Sequence, residues 1–130
     1  MTQTERIKEL FNDLKGQEFA RTYLSAVLQK KKISTAYLFS GPNGVGRKLT
    51  ALRFLEGILN NGEKSIRDRR RLEELNHPDL LWIEPSYQHL GKLIPRSKSK
   101  EAGCNEKNPP KIRLDQIREV SRFLGKTPLE

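Results

Sequence analysis

The run Gly41-Pro42-Asn43-Gly44-Val45-Gly46-Arg47-Lys48 sits between a short apolar segment and a helical pattern. Glycines in such a turn permit unusual backbone angles, so that backbone N–H groups can converge on an anion at the start of the following helix. The partial positive charge of that helix end then favours phosphate. In the complete motif a lysine reaches the β- and γ-phosphates, and the next residue, Ser or Thr, binds Mg²⁺. Here Arg47 stands where the lysine belongs and Lys48 where the hydroxyl belongs. Arg47 keeps positive charge, but a planar fork does not fit the lysine site equally well. Lys48 is the graver departure, because an ammonium cannot coordinate Mg²⁺ and repels it. Thr50, two residues on, should face another side of the helix. The expected site is a degenerate phosphate loop over Gly41–Lys48: ATP binds weakly or not at all, Mg²⁺ is doubtful, and no hydrolysis follows. A plain strand-to-helix turn with no ligand satisfies the same glycines.

The flanking pattern supplies the elements such a loop needs. Ile7, Leu10, Phe11 and Leu14 predict a helix over 4–14, punctuated by Gly16. Phe19, Tyr23 and Val27, with Ala20, Leu24 and Leu28 on the adjoining row, predict a second, ending at Lys30-Lys31-Lys32. Ala36-Tyr37-Leu38-Phe39 reads as a buried strand. Leu49, Leu52, Leu55 and Leu59 give the helix after the loop an apolar stripe that Asn60-Asn61-Gly62 ends. The charged stretch 63–75 reads as a solvated helix, and His77-Pro78-Asp79 as a turn. Leu80-Leu81-Trp82-Ile83 reads as a second buried strand. Ser86 to Pro110 is rich in Lys, Ser, Gly and Pro and reads as a flexible basic loop. Ile112, Ile117, Val120 and Leu124 mark a final helix. This order predicts an α/β fold: an incomplete, parallel, Rossmann-like P-loop sheet with flanking helices, forming one domain over 1–130. Two strands are too few for an open sheet, so further strands are expected after Glu130 or from another chain.

Bulk properties bound the function. The 130 residues suffice for one modest core, and a net charge of +9 favours acidic partners, nucleic acid foremost, though a solvated basic face gives the same number. The one cysteine, Cys104, excludes an internal disulfide or a cysteine-based zinc site and suits a reducing compartment. The charged N-terminus has no signal core, and no apolar run approaches the ~20 residues of a membrane span. A soluble, cytoplasmic protein without membrane association is expected.

Several blocks together resemble the opening of the AAA+ ATPase subunits of bacterial DNA polymerase III clamp loaders. They are Phe11-Asn12-Asp13-Leu14-Lys15-Gly16-Gln17, Ala36 through Gly46, His77-Pro78-Asp79-Leu80, and Ile112-Arg113-Leu114-Asp115-Gln116-Ile117-Arg118. Motor subunits keep Lys followed by Ser or Thr; the delta-prime type often does not, so Arg47-Lys48 favours that type. The loop with Gly91-Lys92-Leu93 is similar to cyanobacterial versions. The resemblance implies a hetero-oligomeric ring of clamp-loader subunits that places a sliding clamp on primed DNA. This chain would serve there as a rather static member of a DNA-directed DNA polymerase holoenzyme. It also implies that Leu14, Gly16 and Gln17 border the adenine, although these residues equally serve to end and pack a helix. Many family members carry a four-cysteine zinc module before His-Pro-Asp. The stretch 60–76 has no cysteine, so no zinc is expected. Neither the acid of the second ATPase motif nor the arginine finger has a matching position here, and no catalytic residue is named.

Other residues read more plainly. Lys30–Lys32 and Arg69–Arg71 suit solvated helix surfaces, His77 a turn and Trp82 a core, and His89 has no partner at metal spacing. Lys92, Arg96, Lys98 and Lys100 form a basic stretch able to track phosphates or to remain disordered. Three functions compete: a structural ring subunit with a vestigial nucleotide site, an active ATPase of the same superfamily, and a basic nucleic-acid-binding domain whose glycine turn is incidental.

Overall fold

The computed structural model describes residues 2–103 and 109–129. Cys104, part of the basic loop (104–108) and Glu130 lie outside the described residues. The chain divides into two compact units, Met1–His77 and Pro78–Glu130.

The first unit is helical: α1 (Gln3–Leu10), α2 (Glu18–Lys30), α3 (Arg47–Leu59) and α4 (Ile66–Glu73). A capping box opens α1: the Thr2 hydroxyl accepts from the Glu5 N–H at 3.3 Å, and the Glu5 carboxylate accepts from the Thr2 N–H at 2.7 Å. The helix stops four residues earlier than its apolar pattern. Phe11 and Leu14 are nonetheless buried, from the turn that follows, beside Ile7, Leu10, Leu24, Leu28 and Phe54. Each such side chain contributes about 1.5–3 kcal/mol on burial. Close approach of α3 to this core depends on Gly57, where a Cβ would lie 2.6 Å from Leu28 Cδ1 and 3.0 Å from Leu10 Cδ1.

Beneath α4 lies a set of charges that the apolar pattern did not disclose. Arg53, 3% exposed, donates to Asp13 (Nε to Oδ2 3.0 Å, Nη2 to Oδ2 2.6 Å) and to Glu73 at 2.6 Å. Glu56, fully buried, accepts from Arg69 Nε at 2.9 Å, while Arg69 Nη2 donates to the Leu10 carbonyl at 3.1 Å. The hydrogen bonds from Arg53 hold the Asp13 carboxyl below its ordinary range. Burial lifts the Glu56 carboxyl above its own, against the pull of Arg69. The reading of Arg69–Arg71 as a solvated face is therefore corrected. Only Arg70 is exposed, paired with Glu74, whereas Arg69 clamps α4 to α3 and Leu72 is wholly buried.

Neither expected strand forms. Residues 36–39 and 80–83 carry no ladder, because a strand exists only against a partner and none is found among the described residues. Tyr37 and Phe39 pack against the helical core, Tyr37 edge-on to Phe54 at 4.9 Å, while Leu38 between them is 93% exposed. The sheet that does form is antiparallel and lies where an unstructured loop was expected. In the second unit β1 (Ser86–His89) pairs with β2 (Lys92–Pro95), with His89 opposite Lys92. This pairing is local, so it needs no distant segment. A single turn of 3₁₀ helix over Arg96–Lys98 follows, and α5 (Leu114–Leu124) closes the unit. Gln116 ties these parts together. Its Oε1 accepts from the Ser86 hydroxyl at 2.8 Å and the Arg113 N–H at 2.9 Å, and its Nε2 donates to the Glu84 carbonyl at 2.8 Å. Trp82, expected in a core, is half-buried and donates its indole N–H to Glu84 at 3.1 Å. Among the described residues, no helix is long and apolar enough to cross a membrane.

Candidate functional site

The glycine run forms an open turn that delivers the chain into α3. Gly46 is the residue before the first helical turn, with φ +97°, a left-handed conformation that side chains resist. A Cβ there would lie 2.9 Å from Leu14 Cδ1. Leu14, read from the sequence either as a neighbour of the adenine or as a packing residue, is buried and lies against Gly46. The N–H groups of Gly44, Val45 and Gly46 make no hydrogen bond among the described residues. Together with the start of α3 they form a set of backbone donors suited to an anion.

The side chains around this turn are already engaged. Arg47 Nη2 donates to Asn43 Oδ1 at 2.9 Å, folding the guanidinium back over the loop. The Thr50 hydroxyl, buried, donates to the Gly46 carbonyl at 2.7 Å. It therefore faces the helix backbone. Lys48 is exposed and lines a separate shallow concavity with Gly44, Leu49 and Leu52.

A cavity of about 300 Å³ opens beside the loop. Val45, Gly46, Arg47 and Thr50 form one side; Gln17, Phe19, Ala20, Tyr23 and Leu24 form another; Tyr37, Leu38, Phe39 and Ser40 complete it. Gln17, in the left-handed region at φ +52°, precedes α2 and reaches this lining. Gly16, at φ +72°, is exposed and makes the turn without lining the cavity. Gly41, Pro42, Asn43 and Gly44 are exposed outside it. So the structure gathers Gln17 with Val45, Gly46 and Arg47, but neither Leu14 nor Gly16 meets the space itself.

Phe19 and Tyr23 were legible in the sequence only as a helical row. Their rings stack at 6.3 Å and 16°, and both are exposed on the α2 side of the cavity. Aromatic spacing of four on a helix just after the Gly16-Gln17 turn was the available signal. Phe19 and Tyr23 thus add an aromatic surface to a cavity that Val45, Gly46 and Arg47 also line. Among the described residues no carboxylate lines the cavity, and the Thr50 hydroxyl is committed to the Gly46 carbonyl.

The family described as DNA polymerase III, delta subunit, matches residues 16–130. The chain belongs to the DNA polymerase III delta-subunit family. DNA polymerase III subunit tau of Bacillus subtilis (strain 168) is similar over 48 residues at 44% identity, which is 37% of this chain and 8% of that protein. No solved structure matches.

Proposed function

We propose that this chain is a clamp-loader subunit of the delta-prime type, with a vestigial nucleotide site and no ATP hydrolysis of its own. On this reading the first unit carries the phosphate loop of an AAA+ domain, and 36–39, which pairs with no strand among the described residues, is the segment that would enter a parallel sheet once partner strands are supplied. Sister clamp-loader subunits in a hetero-oligomeric ring are the direct partners. The sliding clamp and primed DNA are reached through the ring, in the cytoplasm. Membership of the DNA polymerase III delta-subunit family supports the assignment to this complex. The observation that carries the vestigial site is the engagement of its side chains. Arg47 is held by Asn43, Thr50 by the Gly46 carbonyl, and Lys48 occupies the place of a metal-binding hydroxyl. The N–H donors remain, so ATP binds weakly by its phosphates and Mg²⁺ adds nothing.

Titration of ATP by calorimetry, with and without Mg²⁺, tests this. The native chain should bind weakly and equally in both conditions. The double substitution Arg47→Lys with Lys48→Thr frees the loop from the Asn43 tether and supplies a hydroxyl, so its affinity should rise when Mg²⁺ is present. Tight, Mg²⁺-dependent binding or steady hydrolysis by the native chain would refute the proposal in favour of an active ATPase.

A further inference from the structure

The basic stretch that follows position 86 is not absorbed by the nucleotide site, and it is more ordered than its composition suggests. The hairpin β1–β2 stands on a fixed base. Ser86 and Lys111 exchange backbone hydrogen bonds at 2.9 and 3.1 Å, and the Glu84 carboxylate accepts the Ser97 N–H at 2.7 Å. Gln116 closes the same base through Ser86 and the Glu84 carbonyl. From this base Lys92, Arg96, Lys98, Lys100 and Lys111 all project as exposed cations. None has an ion pair among the described residues. At the tip, Leu90 and Gly91 close a two-residue turn with φ +50° and +76°. Such turns favour Asn-Gly or Gly-Gly. A leucine held left-handed costs about 1–2 kcal/mol there, and it is 89% exposed, so its burial offsets nothing. The register puts His89 and Lys92 on one face of the hairpin with Tyr87 and Ile94.

We propose that this hairpin is a nucleic-acid contact: its cations take backbone phosphates, and Leu90 at the tip packs against the bases. Unpaired cations on a rigid support lose little entropy on meeting phosphates, and they release condensed counterions. An apolar tip beside Lys92, with the other cations at the base of the hairpin, can set Leu90 against the bases while those cations hold phosphates, as the wedges do that proteins insert between base steps. The binding is independent of the nucleotide chemistry proposed above and holds whether or not the P-loop takes ATP.

The test is fluorescence anisotropy of the full chain with a short labelled duplex, and with the matching single strand, over a range of KCl concentrations. Replacing Lys92, Arg96, Lys98 and Lys100 together by Ser should flatten the plot of log K against log salt. The slope should fall by roughly 0.9 on duplex, and roughly 0.7 on single strand, for each phosphate that the variant leaves unneutralised. Leu90→Gly relaxes the turn and keeps every charge, so it should weaken binding at an unchanged salt slope while Trp82 fluorescence reports an intact unit. An unaltered slope in the quadruple variant overturns the proposal. So does an equal loss per charge on replacing Lys30, Lys31 and Lys32, which would make the attraction diffuse. Polyglutamate competing as well as DNA per unit charge would also overturn it, in favour of an acidic protein surface.

Discussion

Gly46→Ala separates two reasons for a glycine at the end of a phosphate loop. One is access: a Cβ blocks the approach of an anion to the backbone. The other is packing, and the structure favours it, because the added Cβ would point at Leu14 Cδ1 at 2.9 Å. Two costs then follow. Alanine at φ +97° loses about 1–2 kcal/mol of backbone energy. The overlap forces Leu14, itself buried in the core, to shift, at about 1–3 kcal/mol. A destabilisation of about 2–5 kcal/mol in urea unfolding is expected, without a change in m. Leu14→Ala alone should cost about 2–5 kcal/mol by leaving a cavity. In the double variant the overlap disappears, so the two losses should fall short of their sum by about 1 kcal/mol or more. ATP affinity of the folded protein should be nearly unchanged, because the N–H donors keep their places. Strict additivity, or a loss confined to ATP affinity with stability intact, would refute the packing argument.

The charges between α3 and α4 give two further predictions. The folded Asp13 carboxyl titrates below its ordinary value because Arg53 hydrogen-bonds its ionised form. Its stabilisation is therefore fully present above the unfolded value of about 4 and is lost as pH falls through the lower, folded value. Asp13→Asn should cost about 1 kcal/mol at neutral pH, since its exposed side screens the pair. The deficit should vanish in strong acid, as read from urea midpoints against pH; a deficit independent of pH counts against the assignment. Glu56 has the opposite sign: burial raises its folded value, so its own titration favours the folded state at low pH and less so as pH rises through that value. Even so, Glu56→Ala should cost about 3–5 kcal/mol at neutral pH, because it leaves the part-buried Arg69 guanidinium without its carboxylate, whereas Arg53 keeps Asp13 and Glu73. Thermal unfolding near that of the native chain would show that Arg69 finds another partner.

The contrast between Arg53 and Leu52 shows what the sequence could disclose and what it could not. Leu52 belongs to a repeat of leucines, and a repeat of three or four is a local quantity, so α3 was legible to its last residue. The same held for α2, and for α5 by Ile117, Val120 and Leu124. Arg53 and Glu56 sit on that helix at a spacing that usually means an exposed ion pair. Their burial depends on Asp13, 40 residues before Arg53, and on Arg69, 13 residues after Glu56. No periodicity encodes such a partner. Strands fail for the same reason: Ala36–Phe39 has the composition of a buried strand, but a ladder belongs to two segments, and composition names only one. The hairpin was missed for a different reason. Its turn residues Leu90-Gly91 break the usual Asn-Gly preference, and its short strands are rich in residues typical of loops. At the loop itself, Arg47 and Lys48 were legible as departures from a motif, because the motif fixes a role to each place. The Arg47 hydrogen bond to Asn43 adds a physical consequence to that departure. Restoring lysine replaces the guanidinium that makes this bond with a compact ammonium, so it changes the tether as well as the cation. On the proposed reading, Asn43 competes with a phosphate held by the backbone N–H groups for the Arg47 guanidinium. Asn43→Ala should accordingly strengthen ATP binding even though it deletes a polar group from the loop.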